Sequence, residues 1–209
     1  MTEPQTHPHV REHTVVVPAD VPMVALLGPR DELLRTMERQ FPRVDLHVRG
    51  NEFHVSGPSA EVALVERHAG TGRVQVCFVQ GFGFDVPCAI ASSVAHDSHH
   101  ILVVGTDEAQ MAQAVNALAD CDGGMLVVRD GVVRAQVELP IAGLMSNEPA
   151  PIVAAKAEAV LAEYRACGCR LHNANMQLSL LALVVIPELR ISDLGLVDVQ
   201  QFRRIDVVS

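Results

Sequence analysis

The chain has 209 residues, of which 49% are hydrophobic and 20% are charged, and its formal net charge is −9. This composition suits one or two folded domains and excludes a largely disordered chain. The negative charge argues against a protein that binds duplex nucleic acid over its whole surface, but it does not exclude a local basic face. No run reaches the roughly 18 apolar residues of a membrane span. Residues 1–13 lack the pattern of a secretion signal, so we expect a cytoplasmic location.

The cysteines indicate neither a disulfide framework nor a structural metal site. Their number is odd and several stand in apolar surroundings, which is typical of buried free thiols in a reducing compartment. They are Cys77, Cys88, Cys121, Cys167 and Cys169. The run Cys167-Gly168-Cys169 has no second cysteine pair that would complete a zinc site.

The first 68 residues predict a small unit of mixed structure that follows a flexible tail at 1–11. Hydrophobic spacing and turn residues predict a strand at His13–Val17, a helix at Asp31–Gln40, and a hairpin of Val44–Val48 with Glu52–Val55 around Gly50-Asn51. Ser59 is a candidate helix cap. The resulting order, βαββα, predicts a KH-like unit over residues 12–68.

Several blocks of this unit carry a family resemblance. They are Leu26-Leu27-Gly28, Asp31-Glu32, Leu34-Arg35, His47–Glu52, Ser56-Gly57 and Val62–Leu64. Over residues 14–67 they resemble the N-terminal domain of PhoH-like ATPases, but no phosphate-binding G-x-x-x-x-G-K-[ST] loop occurs in the chain. KH domains clamp single-stranded RNA with a G-x-x-G loop, and Gly28-Pro29-Arg30-Asp31 lacks its second glycine. An RNA-binding face would use Arg30, Arg35, Arg39, Arg43 and Arg49.

The segment 60–68 fits two secondary structures. Val62, Val65 and Ala69 suit the spacing of a helix, whereas Val62 and Leu64 alternate as in a strand. The residues themselves leave this choice open.

Residues 69–209 predict a larger domain of mixed helices and strands. Strands are predicted at Val74–Val79, Cys88–Ala95 and Ile101–Val104, a hairpin at Met125–Val128 with Val132–Val137, and helices from Asp107 to about Asp122 and over Ala150–Ala166. The apolar run Met176–Ile186 is predicted to be buried, with an exposed docking face as the alternative for part of it.

One polar run stands between two apolar segments of this domain, at Ala91–His100. It belongs to a series of blocks, namely Val65–His68, Gly70–Gly72, Gly81–Gly83, Ala89–His99, Val103–Thr106, Leu139–Ser146, Glu148-Pro149, Val185–Leu189 and Gly195–Val199. Over residues 65–209 these blocks resemble the C-terminal domain of bacterial adenine deaminases. The expected fold class is therefore α+β, a KH-like unit followed by a mixed-sheet domain of this kind, without a TIM barrel. The two resemblances meet at 62–68, which suggests a fusion, natural or engineered.

The resemblance implies hydrolysis of adenine to hypoxanthine and ammonia by a metal-bound hydroxide. In that family the metal ligands belong to a barrel, and a barrel of this kind needs about 250 residues, more than the whole chain. We expect no cofactor in this chain, and manganese or iron in the full-length family. The chain is then an accessory or remnant domain that is inactive alone, so its own enzymatic activity stays uncertain.

The polar run supplies the candidate site. Its members with polar chemistry are Ser92, Ser93, His96, Asp97, Ser98 and His99. One hypothesis is substrate or domain contact, because histidine transfers protons near neutral pH. A second is a metal site formed by His96, Asp97, His99 and His100, since imidazole and carboxylate are suitable ligands. The third is a polar turn whose side chains satisfy the backbone.

Three functional hypotheses follow from these patterns. The first is a member of the adenine deaminase family whose partner is a barrel-containing polypeptide, with adenine bound only when that barrel is present. The second is a module that binds RNA or a protein through the N-terminal unit. The third is an interaction protein that forms homo-oligomers.

Overall fold

Residues 10–16, 22–23, 27, 35, 45–58 and 60–205 are described by a computed structural model of the chain. They divide between Ser59 and Ala60 into two units. No helix of these residues is long and apolar enough to cross a lipid bilayer. In the described part of the chain every strand pair is antiparallel and no sheet closes into a barrel.

The first unit contains a three-stranded sheet with the order β1-β3-β2. Its strands are β1 (Val10–Val16), β2 (Asp45–Arg49) and β3 (Glu52–Pro58). The predicted hairpin is confirmed, since Arg49 pairs with Glu52 across Gly50 and Asn51, and Gly50 has the positive φ (61°) that glycine adopts freely. Strand β1 begins at Val10, so Val10 and Arg11 of the predicted tail 1–11 belong to a strand, and the remainder of that tail lies outside the described residues. Of the predicted helix Asp31–Gln40, only Arg35 is described, and it is helical.

The second unit is built on a six-stranded sheet with the order β5-β4-β7-β6-β8-β9. Its strands are β4 (Ala60–Val65), β5 (Val74–Val79), β6 (Cys88–Ser92), β7 (Ile101–Gly105), β8 (Gly124–Arg129) and β9 (Val132–Glu138). The helices are α1 (Glu108–Asp120), α2 (Ala150–Ala166) and α3 (Ala174–Leu180). A second sheet contains β10 (Leu189–Ser192), β11 (Gly195–Asp198) and β12 (Arg203–Ile205).

The large sheet lies between two hydrophobic cores because its strands alternate with a period of two. On β7, Leu102 and Val104 face the core that also holds Val160 and Leu178 of helices α2 and α3. Ile101 and Val103 face the opposite core, which α1 covers with Met111, Ala114 and Leu118. This burial on both faces explains why β6 and β7 read as almost continuously apolar in the sequence.

Both long helices occur where the sequence predicts them. Asp107 caps α1, because its carboxylate accepts a hydrogen bond of 2.8 Å from the backbone N–H of Gln110. Helix α2 spans Ala150–Ala166 as predicted, with Pro151 in its first turn, where a missing N–H costs nothing.

The segment after Ser59 is a strand, so the helix that would complete a KH-like unit is absent there. Val62 and Leu64 face one core and Ala63 the other, and β4 pairs with β5 on one side and β7 on the other. Long-range pairing on both edges thus decides the secondary structure of a segment for which local spacing allowed either a helix or a strand. The predicted domain boundary after His68 moves accordingly, because β4 belongs to the larger unit. A KH-like fold is not confirmed.

Two further predictions need correction. The strand predicted over Cys88–Ala95 ends at Ser92, because the Ser92 hydroxyl accepts a hydrogen bond (3.0 Å) from Val94 N–H and turns the chain. The run Met176–Ile186 is only partly buried. Leu178 and Ala182 are in the core, whereas Val185 is 66% exposed.

Candidate functional site

One end of the six-stranded sheet collects the polar residues that the sequence singles out. Antiparallel pairing places the last residues of β4, β6 and β9 beside the first residues of β5, β7 and β8, as the pairs Val65–Ile101 and Ser92–Met125 show. Four histidines lie close to one another there, His68 beside His100 and His96 beside His99.

Glu66 organises the turn that follows β4. Glu66 is only 6% exposed. Its carboxylate accepts hydrogen bonds from the backbone N–H groups of His68 (2.6 Å), Ala69 (2.7 Å) and Thr71 (2.9 Å), and from the Thr71 hydroxyl (2.8 Å). The N–H groups of Ala69 and Thr71, followed by the Thr71 hydroxyl, lower the pKa of Glu66 to about 2. The turn is therefore built around a carboxylate that stays ionised.

Replacing this carboxylate is expected to change the acid stability of the domain. Because the folded pKa of about 2 lies below the ordinary 4.5, the stabilisation from Glu66 is complete above pH 4.5 and is lost as the pH falls from 4.5 towards 2. We expect Glu66→Gln to melt several degrees below the wild type at pH 7, and the difference to shrink through that window. Thermal melts between pH 7 and 2 test this. A difference that is constant with pH would contradict it.

The same turn places His68 in contact with the polar run. Its Nε2 lies 2.6 Å from the carbonyl oxygen of Ser98. Because a carbonyl only accepts, Nε2 carries the hydrogen and donates it. The His68 ring also lies beside that of His100, with centroids 4.8 Å apart. The turn after β4 therefore supports the polar run from one side.

Arg67 joins two loops at this end of the sheet. Its Nε donates to the carbonyl oxygen of His99 (2.5 Å) and its Nη2 to that of Ala142 (2.7 Å). Its backbone N–H points at Nδ1 of His100, at 3.4 Å. Gly143 allows this approach, because a Cβ there would lie 2.8 Å from the Arg67 guanidinium. Arg67 thus ties the polar run to the loop that follows β9.

Ser93 makes a second, fully buried connection between the same loops. Its residue has no exposed surface. Its hydroxyl lies 2.7 Å from the carbonyl oxygen of Gly143, to which it donates, and accepts from the backbone N–H of Gly124 at 2.8 Å. The Ser93 side chain is therefore committed to the structure and faces no solvent.

Two imidazoles of the polar run, those of His99 and His100, are more easily kept neutral than in water. Burial lowers the pKa of both His99 and His100, and the Asp193 carboxylate, 3.8 Å from Nε2 of His100, opposes this only in part. His99 has a left-handed backbone (φ 51°), and its Nδ1 is buried without a hydrogen-bond partner among the described residues. The ring of His96 meets that of His99 edge-on, with centroids 6.2 Å apart. Neutral imidazoles can donate, accept or transfer a proton near neutral pH.

Comparison with known proteins identifies the family of the chain. The family model of the adenine deaminase C-terminal domain matches residues 38–203. The chain belongs to this family. An adenine deaminase from Ruegeria sp. (strain TM1040) is 54% identical over 181 residues, which are 85% of this chain and 30% of the relative. One from Ruegeria pomeroyi is 63% identical over 71% of the chain, and one from Moorella thermoacetica is 51% identical over 74% of it.

The chain spans about 30% or less of the length of these adenine deaminases. The family match begins at residue 38, inside the segment 14–67 that resembles PhoH-like ATPases. It therefore covers strands β2 and β3, which the sequence analysis placed outside the adenine deaminase region. The PhoH-like resemblance and a fusion at 62–68 are not confirmed.

The candidate residues of this adenine deaminase domain fall into three groups. Ser92 and Ser93 are buried, and their hydroxyls bond to the backbone. His100 is 7% exposed and packs behind the loop. The residues that reach the surface, in whole or in part, are His96, Asp97, Ser98 and His99.

The four proposed metal ligands do not form a metal site. Among the described residues no group of three or more His, Cys, Asp or Glu side chains is placed to hold an ion. The rings instead pair as His96 with His99, and as His100 with His68. The described residues therefore offer no ligand set for the manganese or iron that the resemblance implies for the full-length family.

The sequence analysis gave no role to Glu66, Arg67, His68 or Asp193, which support the loop. The first three stand in a block that carries the family resemblance, Val65–His68, but a stretch of that kind does not show which later loop it will contact. Of the residues proposed for RNA binding, Arg35 and Arg49 are exposed, and Arg30, Arg39 and Arg43 lie outside the described residues.

Proposed function

We propose that this chain acts as the C-terminal domain of an adenine deaminase and does not deaminate adenine by itself. It presents the loop His96–His99 to a catalytic part that corresponds to the remaining length of the relatives. Manganese or iron would be held by that part, since the described residues of this chain do not offer ligands. Adenine is then bound only when the two parts are together.

One observation carries this proposal. The loop is fixed from both sides, by Arg67 through the carbonyl of His99 and by Ser179, whose carbonyl and hydroxyl both lie 3.3 Å from the backbone N–H of His96. Yet Asp97 and Ser98 are exposed, and Nδ1 of His99 is buried without a hydrogen-bond partner among the described residues. A loop that is held rigid while its polar groups remain unused is typical of a binding or catalytic element.

The chemistry of these residues suits a purine. Ser98 and Asp97 offer a donor and an acceptor to the ring nitrogens and amino group of adenine, and the imidazole of His96 or His99 can hold or pass a proton at the ring edge. Contact with the catalytic part itself is the alternative role for the same side chains. Both roles require the loop to lie at the boundary between the two parts.

The test compares the chain alone with a chimera in which it replaces the matched region of the Ruegeria sp. (strain TM1040) adenine deaminase. Ammonia release from adenine is measured with manganese or iron present and with bound metal quantified. We expect no activity from the chain alone and activity from the chimera. His96→Ala or His99→Ala in the chimera should lower kcat by at least about tenfold.

His172→Ala is the matched control, because His172 is an exposed histidine outside the loop. It should leave the activity of the chimera unchanged. Ammonia release by the chain alone with stoichiometric metal would overturn the proposal. So would a chimera whose activity does not respond to the two loop substitutions.

A further inference from the structure

An aliphatic surface lies directly after helix α3, in a run whose composition predicts burial. Val184, Val185 and Ile186 are 37%, 66% and 36% exposed, and Leu189 is 48% exposed. We call these four residues the aliphatic patch. Their neighbours Leu178 and Ala182 are buried, so the run leaves the core part-way along. Consecutive exposed aliphatic residues of this kind mark a contact surface more often than isolated ones do.

Hydrogen bonds hold this exposure in place. The backbone turns through Leu183 N–H to Leu180 (3.2 Å) and Ile186 N–H to Leu183 (3.1 Å), and Ile191 N–H donates to Leu181 (3.0 Å). The Arg190 guanidinium donates to the carbonyl oxygens of Pro187 and Leu189, each at 2.6 Å. The patch is therefore a shaped surface, and binding to it would cost little ordering of the chain.

The patch follows the proposed site closely along the chain. Helix α3 leads into it, and Ser179 of that helix contacts the backbone N–H of His96. The patch begins at Val184, shortly after Ser179, so a polypeptide that covers the loop His96–His99 can extend onto it. Polar contacts at the loop and apolar contacts beside it together give the usual composition of a protein interface.

We infer that the aliphatic patch is the surface on which the rest of an adenine deaminase polypeptide docks. The inference rests on the proposed function. The family match, residues 38–203, includes the patch, and in the relatives the matched region is joined to about 70% of the protein that this chain lacks. That missing part is the occupant, because it is the polypeptide that must reach the neighbouring loop.

The experiment measures burial at the patch and does not depend on catalysis. Val185→Cys is made in the chain and in the chimera, and maleimide labelling of the introduced thiol is followed by peptide mass spectrometry. Val132→Cys is the matched control, since Val132 is 52% exposed in the β8–β9 hairpin, at the other end of the sheet. Four of the five native cysteines are buried, and Cys121 is read as a separate peptide.

We expect labelling at position 185 to be fast in the chain alone and at least about tenfold slower in the chimera, because the core of an interface excludes solvent. Labelling at position 132 should be equal in both. Equal labelling at position 185 in a chimera that releases ammonia would overturn this inference while leaving the proposed function intact. Protection at position 185 in a chimera that releases no ammonia would overturn the proposed function and leave this inference intact. Slow labelling in the chain alone, together with a dimer in sedimentation, would assign the patch to a second copy and overturn the inference.

Discussion

Gly124→Ala is expected to destabilise the larger unit by about 3–5 kcal/mol, the sum of an overpacking cost and a backbone strain cost. Gly124 begins β8 with φ at +153°, a conformation that side chains rarely adopt. A Cβ at this position would overlap the backbone carbonyl oxygen of Val137 on the neighbouring strand β9. That oxygen belongs to a paired strand and cannot move without breaking hydrogen bonds between β8 and β9. Relaxing the overlap would therefore itself destabilise the sheet.

Gly131→Ala separates the two costs. Gly131 also has a positive φ (+68°), but a Cβ there meets no atom within 4 Å. It should lose only the conformational term, about 1 kcal/mol. Urea unfolding of both variants gives the two free energies. Equal losses of unfolding free energy would show that the close approach of β8 and β9 at Gly124 adds no overpacking cost.

Ser93→Ala is expected to cost about 2–4 kcal/mol, because a buried polar group that loses its partner costs about 1–3 kcal/mol. The substitution removes the acceptor for Gly124 N–H (2.8 Å) and the donor to the Gly143 carbonyl (2.7 Å). Ser93 has no exposed surface, so both backbone groups lose their partner away from bulk solvent. Loss of the hydroxyl should also loosen the polar run, seen as faster hydrogen exchange of residues 94–100.

Its neighbour provides the control. Ser92 is equally close to the core, at 3% exposure, but its hydroxyl bonds only within its own turn, to Val94. Ser92→Ala should therefore cost about 1 kcal/mol, a single ordinary hydrogen bond, and should speed the exchange of Val94 N–H alone, leaving the rates of residues 95–100 unchanged. If the two serine variants lost equal stability, Ser93 would have no special role in joining the loops.

The predicted elements are confirmed where local patterns and tertiary packing agree. Asp107 caps α1, Met111 and Leu118 face a core, and the Gly50-Asn51 turn joins two strands, all as their local sequences indicate. Local patterns left the outcome open where an apolar segment suits two environments. Ala60–Val65 became a strand through pairing on both edges, and Val184–Ile186 stayed exposed although its composition predicts burial.

The candidate site shows the same division. The residues of the loop Ser92–His99 stand out in sequence because they concentrate proton-transfer and hydrogen-bonding groups in one run. Their separation into buried serines and exposed acid and hydroxyl groups did not follow from that run. It depends on Arg67, which is 32 residues away from His99 in sequence, and on Gly143, which is 50 residues away from Ser93.

The sequence by itself determined the two long helices, most strands and the loop that carries the candidate chemistry, because these depend on composition, short-range periodicity and capping. The family followed from the resemblance of whole blocks of residues to known proteins. The tertiary structure alone decided the strand at Ala60–Val65, the pairing of the histidine rings in place of a metal site, and the exposure of the aliphatic patch. Each of these depends on contacts between residues distant in the chain, and local spacing carries no information about which distant partner will be found.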